Sequence, residues 1–428
     1  MDAQKFQEIL ARLPRRRKEI LLLFLQGRTD AEIAKSLYVT QATVRKQILN
    51  LCNDFDFNPG LSDGRRSRRT ELMALFAQHK PELMAGNSAV TVDSTAPSVD
   101  WGEAPEVEEL HGRTEELATL KQWMLEEQCR LIAVWGMAGM GKTALAVTLA
   151  EEIKSQFDYF IWRSLQYTPA LSDLLADIIE FLSPTPNLEL SDSTSDRISQ
   201  LIGLLQNHQC LIVLDNVEAI LPDGNRDDED YEELFRRVGR ERHQSCMLLN
   251  SWEKPKEASL LERETQRVKL MQLGGLRDAA RKILREEGLT DEDDWNALIH
   301  QYRGNPYVLR LVARQIQEFL GGSVSQFFAL DTTLLDDEFK TILHQQFDRL
   351  SPLEKQIVGM LMKTSGAVSF ERVREQIQSP SSSELMQALD ILKDRSLVEQ
   401  IPKENNVQFS LPPLVYRFAS QYYPLTES

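Results

Sequence analysis

Residues 131–143 read LIAVWGMAGMGKT, an apolar run that leads into a glycine-rich turn closed by lysine and threonine. The turn from Gly136 to Thr143 matches the pattern G-x-x-x-x-G-K-[ST], and the apolar run before it predicts a buried strand. Glycines let backbone N–H groups turn toward phosphate oxygens, and a helix that starts here adds the positive end of its dipole. The stretch therefore predicts a strand, a phosphate-binding loop and a helix in succession.

The side chains of this loop suit a nucleotide and its metal ion. Lys142 would supply a positive charge to the β- and γ-phosphates, and the Thr143 hydroxyl would reach Mg²⁺. A glycine-rich turn with an incidental lysine is the alternative, and the flanking strand and helix argue against it. The residues of the loop expected to bind the nucleotide are Gly136, Met137, Ala138, Gly139, Met140, Gly141, Lys142, Thr143 and Ala144.

A second element supports the same site. Residues 210–215 read CLIVLD, an apolar strand that ends in the carboxylate of Asp215. Such an aspartate holds Mg²⁺ through its water shell, although a strand ending in Asp is by itself more often only a turn. With the loop upstream, the sequence predicts Lys142 and Asp215 as catalytic residues, and Thr143 and Asp215 as metal ligands.

The position after Asp215 weakens the prediction of rapid hydrolysis. Many enzymes of this class place there a second acid that orients the attacking water, whereas this chain has Asn216, whose amide cannot act as a base. Glu218 is the nearest acid. We therefore expect slow hydrolysis of the bound nucleotide.

Three further apolar runs resemble residues 131–135: 159–162, 211–214 and 247–249. Each is short and continuously apolar, as expected of parallel strands covered on both faces. Amphipathic helical patterns alternate with these runs as far as about Arg267. This rhythm predicts a multidomain α/β protein built on a doubly wound parallel sheet of the P-loop kind.

The first 85 residues differ in charge from the rest of the chain. They hold 15 Lys/Arg against 10 Asp/Glu, a net of +5, and the remaining residues hold 34 against 55, a net of −21, which together give −16. Only this basic head could favour nucleic acid, because the acidic body should repel it.

The head carries the pattern of a helix-turn-helix. Residues 29–32, TDAE, form a capping box that starts one helix, and a second helix is expected from Thr40. Val44, Ile48 and Leu51 share one face of the second helix, which turns Arg45 and Lys46 outward. The basic clusters at 15–18 and 65–69 would either contact phosphates or form solvated faces.

The order of motifs after residue 101 resembles the NB-ARC branch of the STAND family of P-loop ATPases. Residues 110–117, LHGRTEEL, resemble the GR-x-x-E-L segment on the adenine side, and residues 157–163, FDYFIWR, resemble the next strand with its exit arginine. Residues 214–217, LDNV, resemble the Walker B stretch, and residues 304–309, GNPYVL, resemble the G-L-P-L segment.

The resemblance implies a set of domains and further site residues. It places Gly112, Arg113 and Pro306 around the base of ADP or ATP, and Arg163 near the phosphates. The implied organisation is a helix-turn-helix domain (1–85), a flexible linker (86–105), an NB-ARC domain (106–272), a helical ARC1-like domain (273–332) and a winged helix (333–428). ADP would close these domains, and exchange for ATP would open them for homo-oligomerisation.

Two positions depart from the family pattern. The strand that usually ends in T-T-R or T-S-R reads Asn250-Ser251-Trp252, and residues 411–414 read LPPL where an M-H-D motif is usual. Both changes weaken the expected contacts to the γ-phosphate and to ADP.

The head resembles the helix-turn-helix of LuxR-type regulators, which also occurs on bacterial STAND proteins. It would bind DNA or recruit a partner protein. Three functions therefore stay open: a slow ATPase switch, a DNA-binding regulator gated by nucleotide, and a non-hydrolysing scaffold.

No apolar stretch reaches the roughly 18 residues that a membrane span needs. The four cysteines lack metal-binding spacing and are predicted as reduced core residues of a cytoplasmic protein.

Overall fold

The computed structural model describes residues 97–107, 109–183, 190–221, 229–330, 337–364, 366–377, 381–403 and 406–423, with shorter pieces of the first 96 residues. The chain divides into two compact units. The first comprises residues 1–96 with 184–191, and the second comprises residues 97–183 with 192–428.

The first unit has its own apolar core. Helix α1 (Arg15–Leu25) contributes Ile20, Leu21 and Leu25 to it. Val44, Ile48 and Leu51 are buried in the same core, which confirms the predicted face. The capping box at 29–32, the start at Thr40, the outward side chains Arg45 and Lys46, and the basic cluster at 65–69 lie outside the described residues.

The second unit begins with a six-stranded parallel sheet. Its strands are β1 (Ser98–Asp100), β2 (Leu131–Trp135), β3 (Tyr159–Ser164), β4 (Cys210–Asp215), β5 (Cys246–Ser251) and β6 (Val268–Gln272). They lie in the order β1-β3-β4-β5-β2-β6. The apolar runs at 131–135 and 210–215 are buried along their whole length, as their composition predicts.

The sheet is wider than the sequence indicates. The edge strands β1 and β6 were not predicted, and β1 pairs with β3 through Ser98↔Tyr159 to Asp100↔Ile161. The predicted linker over 86–105 is therefore wrong from residue 98, because this segment already belongs to the sheet. The described part of the sheet domain accordingly starts at residue 97.

Helices cover both faces of the sheet domain. They are α2 (Thr114–Lys121, continued by a π-helical turn at Gln122–Glu126), α3 (Lys142–Ile153), α4 (Leu171–Leu182), α5 (Thr194–Asn207), α6 (Glu229–Arg240) and α7 (Lys256–Glu264). Together with the parallel sheet they form the predicted doubly wound α/β domain.

A helical domain follows, as predicted. It contains α8 (Ala280–Glu286), α9 (Trp295–Gln301), α10 (Pro306–Leu320) and α11 (Val324–Ala329). Asn305 caps α10 by accepting a hydrogen bond from Val308 N at 3.2 Å, Pro306 fills the first turn, and Gly321 ends the helix in the left-handed region.

The last domain is a winged helix. It comprises α12 (Asp337–Asp348), α13 (Pro352–Lys363), β7 (Val368–Ser369), α14 (Phe370–Gln376), α15 (Ser382–Asp394), β8 (Glu399–Lys403), β9 (Asn406–Ser410) and α16 (Pro413–Tyr422). Strands β8 and β9 form an antiparallel hairpin, with β7 beside β9. These three strands form the small sheet of the predicted winged helix.

A buried ionic cluster joins the winged helix to the sheet domain. Glu253, just after β5, accepts a hydrogen bond from Arg349 Nη1 at 2.6 Å, and its other oxygen lies 3.6 Å from Arg395 Nε. Arg395 Nη1 also lies 3.5 Å from Glu354 of α13. The Glu253 and Arg395 side chains are only 8% and 9% exposed. We call these four residues the interdomain ionic cluster.

The four cysteines, Cys52, Cys129, Cys210 and Cys246, are all buried and unbridged, in agreement with their predicted core positions. Among the helices in the described part of the chain, none has the length and apolarity that crossing a membrane requires.

Candidate functional site

The glycine-rich loop joins β2 to α3 in the predicted strand–loop–helix arrangement. Gly136 has φ +148°, and a Cβ there would lie 2.4 Å from the Leu273 carbonyl oxygen. Gly141 has φ +89° and precedes the first residue of α3. Because other residues rarely adopt these conformations, the loop needs glycine at both positions.

Residues from outside the loop fix the orientation of its peptide groups. Three successive carbonyls accept hydrogen bonds: Ala138 O from Asn305 Nδ2 at 2.8 Å, Gly139 O from Tyr307 N at 3.3 Å, and Met140 O from Arg113 Nη2 at 3.0 Å. Holding the carbonyls on one side leaves the N–H groups to face the other, which is how such a loop binds phosphate oxygens. Asn305 is fully buried and Arg113 is 4% exposed, so both contacts are shielded from water.

Lys142 lies across the same loop. Its Nζ donates hydrogen bonds to Gly136 O at 2.7 Å and to Met137 O at 3.1 Å. Burial lowers the pKa of Lys142 to about 8, and the carboxylates of Glu218 and Asp215 act in the opposite direction. The ammonium group is thus positioned at the loop, and two carboxylates favour its charge.

Asp215 and Thr143 form the predicted pair of metal-ligand candidates. Thr143 Oγ1 lies 3.1 Å from each carboxylate oxygen of Asp215. Asp215 is 7% exposed, and burial raises its pKa, whereas hydrogen bonding to Thr143 lowers it. Strand β4 thus brings its terminal carboxylate to the first turn of α3.

Glu218 also belongs to the site, which the sequence indicated only as the nearest acid. It is 9% exposed, and its Oε2 accepts a hydrogen bond from Trp252 N at 3.1 Å. Burial raises the pKa of Glu218, and the charge of Lys142 lowers it. The charged side chain of Lys142 therefore interacts at the loop with the two buried carboxylates of Asp215 and Glu218.

The end of β5 contributes an amide to this place. Asn250 is fully buried, and neither its Oδ1 nor its Nδ2 makes a full hydrogen bond within the described residues. Its side chain nevertheless faces Asp215 closely enough to lower the pKa of that carboxyl. Trp252, two residues later, contacts the site through its backbone N–H and not through a side-chain charge.

Two of the residues predicted to lie around the base, Arg113 and Pro306, lie against the loop. Arg113 reaches Met140 O and also donates to Gly274 O at 2.7 Å. Pro306 Cγ would lie 3.9 Å from a Cβ placed on Gly141, so α10 starts against the loop. Gly112 has φ +61° and packs against Ala279, where a Cβ would lie 2.1 Å from the Ala279 Cβ.

Arg163 has a different environment from the one the resemblance implies. It donates to Asp100 Oδ2 at 2.7 Å and to Trp162 O at 2.7 Å, and it pairs with Asp177. Its strand β3 is separated from β2 by β4 and β5. In this structure Arg163 holds the edge strand β1 and helix α4, and the phosphate-side role that the resemblance implies stays a prediction.

One other cluster could be taken for a metal site. Glu109, His111 and Glu286 bring ligand atoms within 4.8 Å of one another. Lys282 pairs with Glu109, however, and Arg310 Nη2 lies 3.2 Å from His111 Nε2. These two cations already balance the carboxylates, so the cluster is better explained as an ion-pair network.

A glycine-rich loop between a parallel strand and a helix, with a lysine, a threonine and a strand-terminal aspartate at its mouth, defines a P-loop nucleotide-binding protein. Residues 113–221 match the family model of the NB-ARC domain, and residues 3–50 match Sigma-70, region 4. These matches show an NB-ARC domain of the P-loop ATPase kind in this chain and a helix-turn-helix-like region at its head. The prediction of a helix-turn-helix in the head is thus confirmed, and the family model that matches the head is Sigma-70, region 4.

Two relatives are similar to parts of this chain. A WD repeat-containing protein of Nostoc sp., a bacterium, is 36% identical over 351 residues, which is 77% of this chain and 28% of the relative. A putative disease resistance protein of Arabidopsis thaliana is 26% identical over 158 residues, or 35% of this chain and 18% of the relative. The chain thus spans less than a third of the length of either relative.

Two solved structures from Pyrococcus species are also similar to parts of this chain. A Walker-type ATPase of Pyrococcus abyssi is 14% identical with a TM-score of 0.49, covering 72% of this chain and 97% of that one. A STAND protein with a tetratricopeptide repeat sensor from Pyrococcus horikoshii is 15% identical with a TM-score of 0.37, covering 77% and 45%. Because both TM-scores are below 0.5, the assignment of the nucleotide-binding domain rests on the NB-ARC family model and on the geometry of the site.

Proposed function

We propose that this chain is a cytoplasmic signalling switch that binds ADP or ATP with Mg²⁺ and hydrolyses ATP slowly. It would alternate between a closed ADP state and an open state that forms homo-oligomers. The observation that carries the proposal is the braced loop at 136–140, with Lys142 above it and Asp215 beside Thr143. This arrangement suits a bound polyphosphate.

The donor set at the mouth of the loop fits Mg²⁺. This ion prefers oxygen ligands and keeps several of its waters, so it needs only one or two protein groups beside the phosphates. The Thr143 hydroxyl and the Asp215 carboxylate are the residues that would hold it. Bound there, the ion would neutralise charge on the β- and γ-phosphates.

The contacts of the loop explain how nucleotide and domain arrangement could affect each other. Asn305 and Tyr307 lie at the start of α10 in the helical domain, yet they hold the carbonyls of Ala138 and Gly139. A ligand that stabilises the loop also stabilises this docking, and the reverse follows by linkage. Nucleotide would therefore act as a ligand that distinguishes two conformations, and not mainly as fuel.

The first test is the nucleotide content of the purified protein. Denatured wild type should release stoichiometric ADP, identified by chromatography, and the Lys142→Ala variant should release little. Losing a charge-assisted contact of about 1.5–3 kcal/mol corresponds to roughly 10- to 150-fold weaker binding. Lys154→Ala, at the other end of α3 and partly exposed, serves as the matched control. Equal nucleotide affinity in the Lys142→Ala variant would refute the site assignment.

A second function, DNA binding by residues 1–85, is favoured by the Sigma-70, region 4 match at 3–50. Binding that weakens steeply with salt, and less steeply after Arg45→Ala with Lys46→Ala, would support it. Binding that is absent or insensitive to salt would favour recruitment of a partner protein.

The non-hydrolysing scaffold is motivated by Asn216, Trp252 and Pro412. ATP turnover above background that is abolished by Asp215→Ala would exclude it.

A further inference from the structure

The chain turns sharply after Asp215, and this turn decides which acid faces the loop. Asn216 has φ +58° and ψ +41°, the left-handed conformation, and it precedes a 3₁₀ turn at Val217–Ile220. Asparagine tolerates this conformation better than most residues other than glycine. The turn is closed by a hydrogen bond from Ala219 N to Asn216 O at 3.1 Å. It folds the chain back so that Glu218 returns toward the site.

The side chain of Asn216 lies between the end of β3 and Glu218. Its Oδ1 accepts a hydrogen bond from Ser164 Oγ at 3.1 Å, at the end of β3. Its Nδ2 lies 3.5 Å from Glu218 Oε1. Asn216 therefore acts in this structure as a turn residue whose amide helps to orient Glu218.

Glu218 has the environment of a positioned carboxylate. It is buried, and Trp252 N holds its Oε2 at 3.1 Å. The opposite charge of Lys142 and the like charge of Asp215 both act on it. A carboxylate held in this way, beside the lysine that grips the terminal phosphate, can meet a water molecule on its way to that phosphate.

From this geometry we propose that Glu218 is the catalytic residue that orients the attacking water and accepts its proton. The inference rests on the proposed function, because it names the base of the proposed ATP hydrolysis. The water oxygen forms a bond to the γ-phosphorus, and the bond from that phosphorus to the β–γ bridging oxygen breaks. The electron pair leaves with ADP, and the proton passes through Glu218 to phosphate or solvent.

A purely structural role for Glu218 makes a different prediction. Holding Trp252 N requires only a hydrogen-bond acceptor, which the amide oxygen of glutamine supplies at the same length. Accepting a proton requires the carboxylate. The Glu218→Gln variant therefore separates the two roles while preserving size and the contact to Trp252.

The experiment compares the wild-type chain with Glu218→Gln, Asn216→Asp and the double variant. We expect Glu218→Gln to lower single-turnover ATP hydrolysis by about 100-fold or more, the range for a general base. Its affinity for ADP and ATP should stay within about threefold of wild type. As a readout besides activity, the nucleotide released from the purified variant should shift from ADP to ATP.

Each of the other outcomes also decides for or against the inference or the proposed function. Wild-type turnover in Glu218→Gln overturns the inference. Recovery of turnover in the double variant supports it, since a carboxylate supplied at position 216 would then replace the one lost at position 218. A tenfold loss of nucleotide affinity in Glu218→Gln assigns the residue to binding and overturns the inference. A wild type that binds ATP without hydrolysing it overturns the inference as well. A wild type that binds no nucleotide refutes the proposed function itself, so the two failures are distinguishable.

Discussion

Removing the carboxylate of Glu253 tests whether the interdomain ionic cluster holds the winged helix in place. Glu253 lies directly after the end of β5, and one side chain pairs with both Arg349 and Arg395. The Glu253→Ala variant leaves two guanidinium groups in a site where the lost carboxylate was only 8% exposed. We expect the winged helix to detach more readily from the sheet domain.

The expected loss of docking free energy follows from the contacts that each arginine keeps in the Glu253→Ala variant. Removing one partner of a buried ion pair costs about 3–5 kcal/mol, because the remaining charge stays buried without compensation. Arg395 keeps Glu354 at 3.5 Å, so its loss is partial. Arg349 loses the 2.6 Å hydrogen bond, and its Nη2 already has no partner among the described residues. We therefore expect about 3 kcal/mol, which shifts the docking equilibrium by roughly two orders of magnitude.

Burial is the main influence on the pKa of Glu253 and raises it, whereas Arg349 and Arg395 lower it. The formation of a buried ion pair is weak evidence of net stability, because desolvation offsets much of the attraction. Breaking it from one side is nevertheless costly, since the desolvated arginines remain.

Hydrogen exchange of the amides in α13 and α15 measures the docking directly. Glu253→Ala should accelerate exchange in both helices, and adding Arg349→Ala should recover part of the loss because the unpaired charge is gone. Glu375→Ala is the control, since that glutamate pairs with Arg372 at an exposed site, where about 0–1 kcal/mol is expected. Equal exchange in Glu253→Ala and in this control would refute the reasoning.

Three further predictions concern the loop and its surroundings. Asn305→Ala, which frees Ala138 O, should weaken ATP binding about tenfold by calorimetry, and unchanged affinity would contradict the bracing. The pKa of Lys142 is about 8 in this structure, and bound phosphate should raise it because phosphate favours the ammonium form. Nucleotide affinity should therefore fall above pH 8 by at most about tenfold per pH unit. An affinity that stays constant between pH 7 and 9.5 would exclude this role of the ammonium group. Arg163→Gln should lower the midpoint of thermal unfolding by loosening β1, while nucleotide affinity changes less than twofold; a large loss of affinity would support the phosphate-side role.

The parts of the fold that the sequence revealed are those with continuous burial. Strands β2 and β4 are buried at every position, so their composition alone identifies them. Strand β6 reads VKLMQ and only its first residue is fully buried, which gives no continuous apolar run. Strand β1 is three residues long, and two of them are polar. Edge strands of this kind depend on their neighbours for pairing and are poorly encoded locally.

The residues of the site also divide into those that the sequence reveals and those that it does not. The loop, Lys142, Thr143 and Asp215 follow from a motif whose spacing is local. Asn305 acts on Ala138 O from 167 positions away, and Glu218 enters through the left-handed turn at Asn216. The departure at Trp252 is visible in the sequence, but its backbone contact to Glu218 is not. A single sequence contains no signal that pairs residues so distant along the chain.

The bracing of the loop bears on how this protein can be dissected. A fragment that stops at the end of β6 would retain the strand, the glycine-rich turn and α3. It would lack Gly274 O, which holds Arg113, and the two groups of Asn305 and Tyr307 that pin the carbonyls. The smallest piece that reproduces native nucleotide affinity should therefore extend through α10. Within the intact chain, that affinity becomes a gauge of how firmly the helical domain is seated.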